Sequence, residues 1–285
     1  MAHWFEGIGY HQTLGFAVAD DGAERVRLHV PYADANSNPG GALHGGVAAS
    51  LIVAAGSLAG RSGTDAGADL LAAPVDVFLD YLAAAINEDI TAEAHVLRRG
   101  KELRYVDVDV RTAAGKAIAK GLLTYRSAPI APAPRERSTV RPPDLAAAHI
   151  PPFAKFFVHA PFIARLGLAV EHAADGVART RMPFSAALDG GEGAVHEGAI
   201  AALIDTTAAL ASWSLVPLDP RNKASTVDLH VSWCGAAPGD GLVAVAETLQ
   251  RRDEIFINTV TVTAASTGRV VAFGTVTYRI VVPEE

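Results

Sequence analysis

The chain has 285 residues, half of them hydrophobic, which supplies apolar side chains for two cores of ordinary domain size and excludes a disordered composition. A net charge of −7 speaks against a nucleic-acid surface, and the single cysteine, Cys234, excludes an intrachain disulfide. No charged start leads into an apolar signal core. The longest apolar run, residues 47–60, is too short and too rich in Ala and Gly to cross a bilayer, so the expectation is a soluble, cytoplasmic protein that engages neither membrane nor nucleic acid.

In chain order, the pattern predicts a short N-terminal helix ending at Leu14 and Gly15, then two short strands up to Pro31. Residues 38–56 (NPGGALHGGVAASLIVAAG) read as a glycine-rich turn running into a helix, expected over 43–58, that is apolar on every face and so buried on every face. The first N–H groups of such a helix lack partners within it. Its start at Gly45 is therefore a candidate site for an oxygen carrying partial negative charge. Four β-rich segments follow. In Leu103 to Thr112, Val106, Val108 and Val110 alternate with Tyr105, Asp107 and Asp109, the period of a half-buried strand, with turn signals at residues 87–89 and 114–115.

Residues 127–153 hold seven prolines between Pro129 and Pro152, with Arg135, Glu136, Arg137 and Arg141 among them, and read as an extended linker. Beyond it the chain repeats itself. Residues 190–206 (GGEGAVHEGAIAALIDT) match the first glycine-rich turn and helix at an offset of 152, placing His196 on His44 and a second helix over 195–212. The same offset aligns Leu14 with Leu166, Pro31 with Pro183, Asp76 with Asp228 and Val108 with Val260. Near the end it slips to 153, where Gly121 and Tyr125 meet Gly274 and Tyr278. Strands in succession with one buried helix imply an antiparallel α+β fold present twice, in domains spanning 1–126 and 154–285.

The pattern Asn-x5-His-Gly-Gly, followed eight residues after the first Gly by a carboxylate on the same helix, resembles the hotdog-fold acyl-CoA thioesterases of the PaaI-like group, related to the phenylacetate-pathway enzyme. The resemblance covers residues 10–126 and 154–281. It implies two tandem hotdogs, each an antiparallel sheet wrapped around a helix, joined edge to edge as an intrachain pseudo-dimer with antiparallel helices. It further implies association into a homodimer of double hotdogs, a small-molecule acyl-CoA substrate, and no metal or other cofactor.

In that family each site lies between two hotdogs: one gives Asn, His and the helix-start Gly, the other gives the carboxylate and a strand hydroxyl. The first copy has Asn38, His44 and Gly45, but Val53 and Pro74 stand where the carboxylate and hydroxyl belong. The second has Asp205 and Thr226, but Gly190 and Glu197 replace the Asn and Gly. The losses are complementary. One composite site of Asn38, His44, Gly45, Asp205 and Thr226 is complete, and the opposite one is not.

In this reading the Gly45 N–H polarises the thioester carbonyl, Asp205 acts as base or nucleophile, Thr226 orients water, and Asn38 holds the carbonyl or the water. A carboxylate inside an apolar helix is costly without a function, which singles out Asp205. Gly45 and Gly46 equally suit close packing at a helix start, and His44 equally suits bracing the turn. Gly46, Arg98, Arg99, Lys101 and Arg251 (with Arg252) are candidate contacts for substrate and the phosphates of coenzyme A, although charged hairpin tips are ordinarily just solvated. Asp76 and Asp228 occur in both copies and read as structural. The zinc-protease, dinucleotide and nucleophile-elbow motifs are incomplete or missing. Two rivals remain: a non-catalytic acyl-CoA binding module, separable by thiol release, and an enoyl-CoA hydratase or dehydratase, separable by a hydration assay.

Overall fold

The structure, a computed structural model, describes residues 2–22, 25–62, 73–126, 148–191, 193–219 and 221–282. Most of the expected linker, residues 127–147, lies outside them. The first half runs α1 (Ala2–Glu6), α2 (Gly9–Leu14), β1 (Ala17–Asp21), β2 (Arg25–Val30), α3 (Gly45–Arg61), β3 (Ala73–Tyr81), β4 (Ile90–Arg99), β5 (Leu103–Thr112) and β6 (Ala117–Arg126). The second runs α4 (Ala154–His159), α5 (Pro161–Leu166), β7 (Ala169–Ala174), β8 (Val177–Met182), α6 (Glu197–Trp213), β9 (Lys223–Trp233), β10 (Leu242–Arg252), β11 (Ile255–Ala264) and β12 (Val270–Val281). Each half thus opens with two short helices, where the sequence pattern suggested one.

The twelve strands among the described residues form one antiparallel sheet ordered β1-β2-β4-β5-β6-β3-β9-β12-β11-β10-β8-β7. The order reads the same from either edge once each strand is exchanged for its repeat. The halves join where β3 pairs with β9, from Asp76 opposite Ser232 to Asp80 opposite Asp228. This is the α+β double hotdog: each half-sheet curls around its own helix, α3 against β2 to β6 and α6 against β8 to β12. Successive strand residues point to opposite faces, so Val106, Val108 and Val110 sit fully buried against α3 while Asp107 and Asp109 face outward to Lys120. The slip in the repeat is a turn insertion. The β5–β6 turn is closed by Thr112 N–H to Lys116 O, whereas the β11–β12 turn runs one residue longer, from Ala264 N–H to Arg269 O.

The helices start alike. His44 and His196 stay extended, and the imidazole Nδ1 of each accepts the N–H two residues on, at 2.9 Å in both. That N-cap makes Gly45 and Glu197 the first helical residues, two later than expected. The helices cross closely: a Cβ on Gly46 would come within 2.7 Å of Ala202, and one on Gly198 within 2.8 Å of Ser50. Contacts at 46 with 202 and 50 with 198 run in opposite chain directions, so α3 and α6 are antiparallel. Burial holds them there, since Leu51, Ile52, Leu58, Leu203, Ile204 and Leu210 have essentially no exposure and each contributes about 1.5–3 kcal/mol. Among the described residues no helix is long and apolar enough to cross a membrane.

Candidate active site

Antiparallel crossing sets the start of α3 beside the middle of α6. A cavity of about 410 Å³ opens there, and Asn38, His44, Gly45, Asp205 and Thr226 all line it. The remaining wall is mainly apolar: Leu82, Ala85, Ile90 and Ile118 come from the first half, and Phe157, Ile163 and Ala209 from the second. A more open pocket of about 380 Å³ beside Asp240, Ser266 and Arg269 gathers none of these candidates.

Asp205 is 5 % exposed, and burial pushes its carboxyl up to about 6 from 3.8, with a bond from Thr226 pulling the other way. Thr226 Oγ1 donates to Asp205 Oδ1 at 2.5 Å. The hydroxyl proton expected to orient water is therefore spent on holding the carboxylate, and Oδ2 is the oxygen left to meet a reactant. Removing the charge from water without a countercharge raises the pKa, while the hydroxyl limits the rise.

Across the cavity, His44 Nδ1 accepts the Gly46 N–H, so its own hydrogen sits on Nε2. Burial lowers the His44 pKa to about 4, which keeps the ring neutral near pH 7. The Gly45 N–H, first in the helix, meets no acceptor among the described residues. Its carbonyl accepts the Tyr81 hydroxyl at 3.2 Å, and a Cβ on Gly45 would press within 3.2 Å of the Tyr81 ring. Asn38 enters from the turn closed by its own N–H to Ala42 O at 2.8 Å. A carboxylate of raised basicity thus shares one apolar cavity with a neutral imidazole donor and a helix-start N–H, a combination suited to adding water to a carbonyl.

Tyr81 and Tyr278 also line the cavity and were not singled out by the sequence. Their repeat partners, Trp233 and Tyr125, are aromatic too, so at strand ends they read as core.

Gly46 does not line the cavity. Its N–H is taken by His44, and its lack of a side chain serves the helix crossing. None of the candidate cations lines it either. Arg98, Arg99 and Lys101 lie at the end of β4 remote from the cavity residue Ile90, nine residues or about 30 Å of strand away. There Arg99 donates to Ser62 O at 2.6 Å at the C-terminus of α3, and Arg104 to Gly60 O. Arg251, the repeat of Arg99, does the same for α6 by donating to Leu215 O at 3.4 Å. Its hairpin, however, flanks the cavity: Arg251 pairs with Phe256, and Phe256 with the cavity residue Tyr278.

The opposite pseudo-site is filled from within. Val53 is 2 % exposed, and His196 Nε2 lies 3.0 Å from His11 Nε2, with His11 Nδ1 bonded to Phe5 O. Burial raises the pKa of Tyr125, which stands where Tyr278 stands on the other side, and the nearby Glu197 adds to the rise. Among the described residues no group of three His, Cys, Asp or Glu side chains is placed to hold a metal ion.

Residues 33–126 match the family described as acyl-CoA thioesterase N-terminal domain. The human protein named acyl-coenzyme A thioesterase 13 is 38 % identical over 99 residues, covering 34 % of this chain and 69 % of that protein. The chain belongs to the hotdog acyl-CoA thioesterase family. A Halobacterium salinarum protein bearing an esterase name is 42 % identical over 88 residues, 30 % of this chain, and the chain spans 58 % of that relative's length. The double arrangement has a counterpart in a hotdog protein of Alicyclobacillus acidocaldarius, of TM-score 0.62 and 15 % identity over the whole of both chains. At that identity the likeness concerns the fold.

Proposed function

We propose that this thioesterase hydrolyses an acyl-CoA or aryl-CoA thioester, releasing the free acid and coenzyme A, at one composite site between its halves. The observation that carries the reading is the meeting of Asp205, from the second half, with the His44 and Gly45 helix start of the first in one mainly apolar cavity. The acyl group lies along the apolar wall, and the carbonyl oxygen accepts from Gly45 N–H, with His44 Nε2–H and Asn38 beside it. Asp205 Oδ2 takes a proton as the water oxygen attacks the carbonyl carbon. The C–S bond then breaks, and the thiolate recovers the proton from Asp205. Arg251 and Arg252 offer positive charge to the coenzyme A phosphates at the cavity's edge.

The test is a panel of acyl-CoA and aryl-CoA substrates followed by free-thiol release. Release by the wild-type chain, lost in Asp205→Asn, supports the reading. Tight binding without release would make the protein a binding module, and hydration of an enoyl-CoA without thiol release would make it a hydratase.

Association into a homodimer of double hotdogs in the cytoplasm belongs to the same proposal. It is supported by apolar side chains on the outer face of the central strands, where Phe78 is 56 %, Leu122 45 % and Phe273 41 % exposed. A sedimentation mass of 29.6 kDa at micromolar concentration would refute the dimer.

A further inference from the structure

Inside the cavity, beside the base, stands a buried hydroxyl that the proposed reaction does not use. Thr206 follows Asp205 on α6, lines the cavity, and is 2 % exposed, and its hydroxyl oxygen has no hydrogen-bond partner among the described residues. Buried hydroxyls in helices ordinarily bond the carbonyl four residues back. Here Thr207 bonds Leu203 O at 2.6 Å, Ser212 bonds Ala208 O at 3.0 Å, and Ser50 bonds Gly46 O at 2.6 Å. Thr206 departs from this pattern, and it does so at the cavity wall.

The repeat supplies an independent control. The pair Asp205 and Thr206 corresponds to Val53 and Ala54, so the carboxylate and the adjacent hydroxyl are present together in one half and absent together in the other. Both helices cross with the same geometry, and a packing role for the Thr206 side chain would call for similar bulk at 54. A role in the reaction calls for the hydroxyl only where the carboxylate is.

We propose that Thr206 is a further catalytic residue whose hydroxyl holds the attacking water against Asp205. This rests on the thioesterase reading above. Thr226 occupies Oδ1 of the carboxylate, so the water bridges Oδ2 and the Thr206 oxygen. Thr206 keeps its own proton throughout: the water proton goes to Asp205, the water oxygen to the acyl carbon, and the proton then to the departing thiolate. Thr226 positions the base, and Thr206 positions the water.

The experiment compares Thr206→Val, Thr206→Ser and wild type by thiol release from the best acyl-CoA, with thermal melts alongside. Loss of the hydroxyl at constant shape should lower kcat roughly 10–100-fold with KM within about threefold and no fall in Tm, and Ser should restore kcat to within about threefold. Added hydroxylamine, a nucleophile that the hydroxyl does not have to position, should accelerate Thr206→Val proportionally more than wild type. A Thr206→Val enzyme with near-normal kcat overturns the proposal. So does one whose loss is accompanied by a lower Tm and is not rescued by Ser. A wild-type chain that releases no thiol from any thioester overturns the thioesterase reading itself, which is a separate result.

Discussion

His196 donates its Nε2 hydrogen to Nε2 of His11 at 3.0 Å, while the residue that repeats His11 in the other half is Ile163, in the wall of the cavity that His44 lines. The direction of this bond is fixed by the other ring nitrogens. His196 Nδ1 accepts from Gly198, and His11 Nδ1 donates to Phe5 O, which leaves one donor and one acceptor to meet. Burial lowers both pKa values, that of His11 to about 4, so two neutral rings satisfy each other. His11→Leu strands a buried N–H and should lower stability by about 1–3 kcal/mol while leaving kcat within a few-fold. Thermal melts and thiol release check both parts. A tenfold fall in kcat with the fold intact would mean that the filled pseudo-site takes part in turnover.

Asp205 should trade stability for activity in a pH-dependent way. Its folded pKa of about 6 lies above the ordinary 3.8, so between those values the folded chain holds a proton that the unfolded chain has released. The stability contribution is therefore full below about pH 4 and lost as pH rises through about 6, on the order of 3 kcal/mol in total. Asparagine does not titrate. The stability advantage of Asp205→Asn over wild type should grow from pH 4.5 to pH 7, while its kcat falls roughly 10²–10⁴-fold. In wild type, kcat/KM should fall about tenfold per pH unit below about 6, because only the ionised carboxylate accepts a proton. Urea titrations at the two pH values and a pH–rate profile measure this. A flat profile would remove Asp205 from the role of base.

The repeat makes most of the architecture legible, because a helix apolar on all faces admits only an enclosing sheet, and two copies at a constant offset imply two such enclosures. Complementary losses at positions 53, 190 and 197 likewise point to one composite cavity, and its five residues do meet. What the sequence hides is which end of a strand each hairpin occupies. The β4–β5 hairpin sits at the C-terminus of its own helix, so Arg98, Arg99 and Lys101 flank the filled pseudo-site, and the cations beside the cavity come from the other copy. The helices start two residues later than the apolar pattern suggests, at Gly45 and Glu197, because the histidine caps continue the turn before them. Nothing in the sequence marks Tyr81, because its contact with Gly45 is purely tertiary.

The hairpin placement yields a paired test. Arg251→Gln should raise KM for acyl-CoA about 3–10-fold and leave KM for the matching acyl-pantetheine, which lacks the nucleotide phosphates, unchanged. Arg99→Gln should leave both KM values unchanged and lower stability by about 0.3–1 kcal/mol, as expected for a cation removed from a helix C-terminus. Steady-state kinetics with both thioesters, and a melt of each variant, distinguish the two arginines. Equal effects on KM from both would place the coenzyme A phosphates elsewhere.

Placing a carboxylate at the filled pseudo-site should not create a second working site. Val53 is 2 % exposed, and the strand position that supplies the Thr226 hydroxyl to Asp205 is Pro74 in the first half, so Val53→Asp has no such donor. Glu197 still stands at the helix start and Gly190 in place of the Asn, while His11 still takes the His196 hydrogen that His44 leaves for the cavity. The expected outcome is turnover per chain within about twofold of wild type and a stability loss of several kcal/mol, the cost of burying an unpaired carboxyl. Glu197→Ala, which alters the same pseudo-site without adding a charge, should leave kcat within a few-fold. Thiol release at matched folded concentration, with a denaturant titration for each variant, provides the comparison. A Val53→Asp chain that doubles turnover and keeps its stability would show that the filled pseudo-site needs only its carboxylate to work.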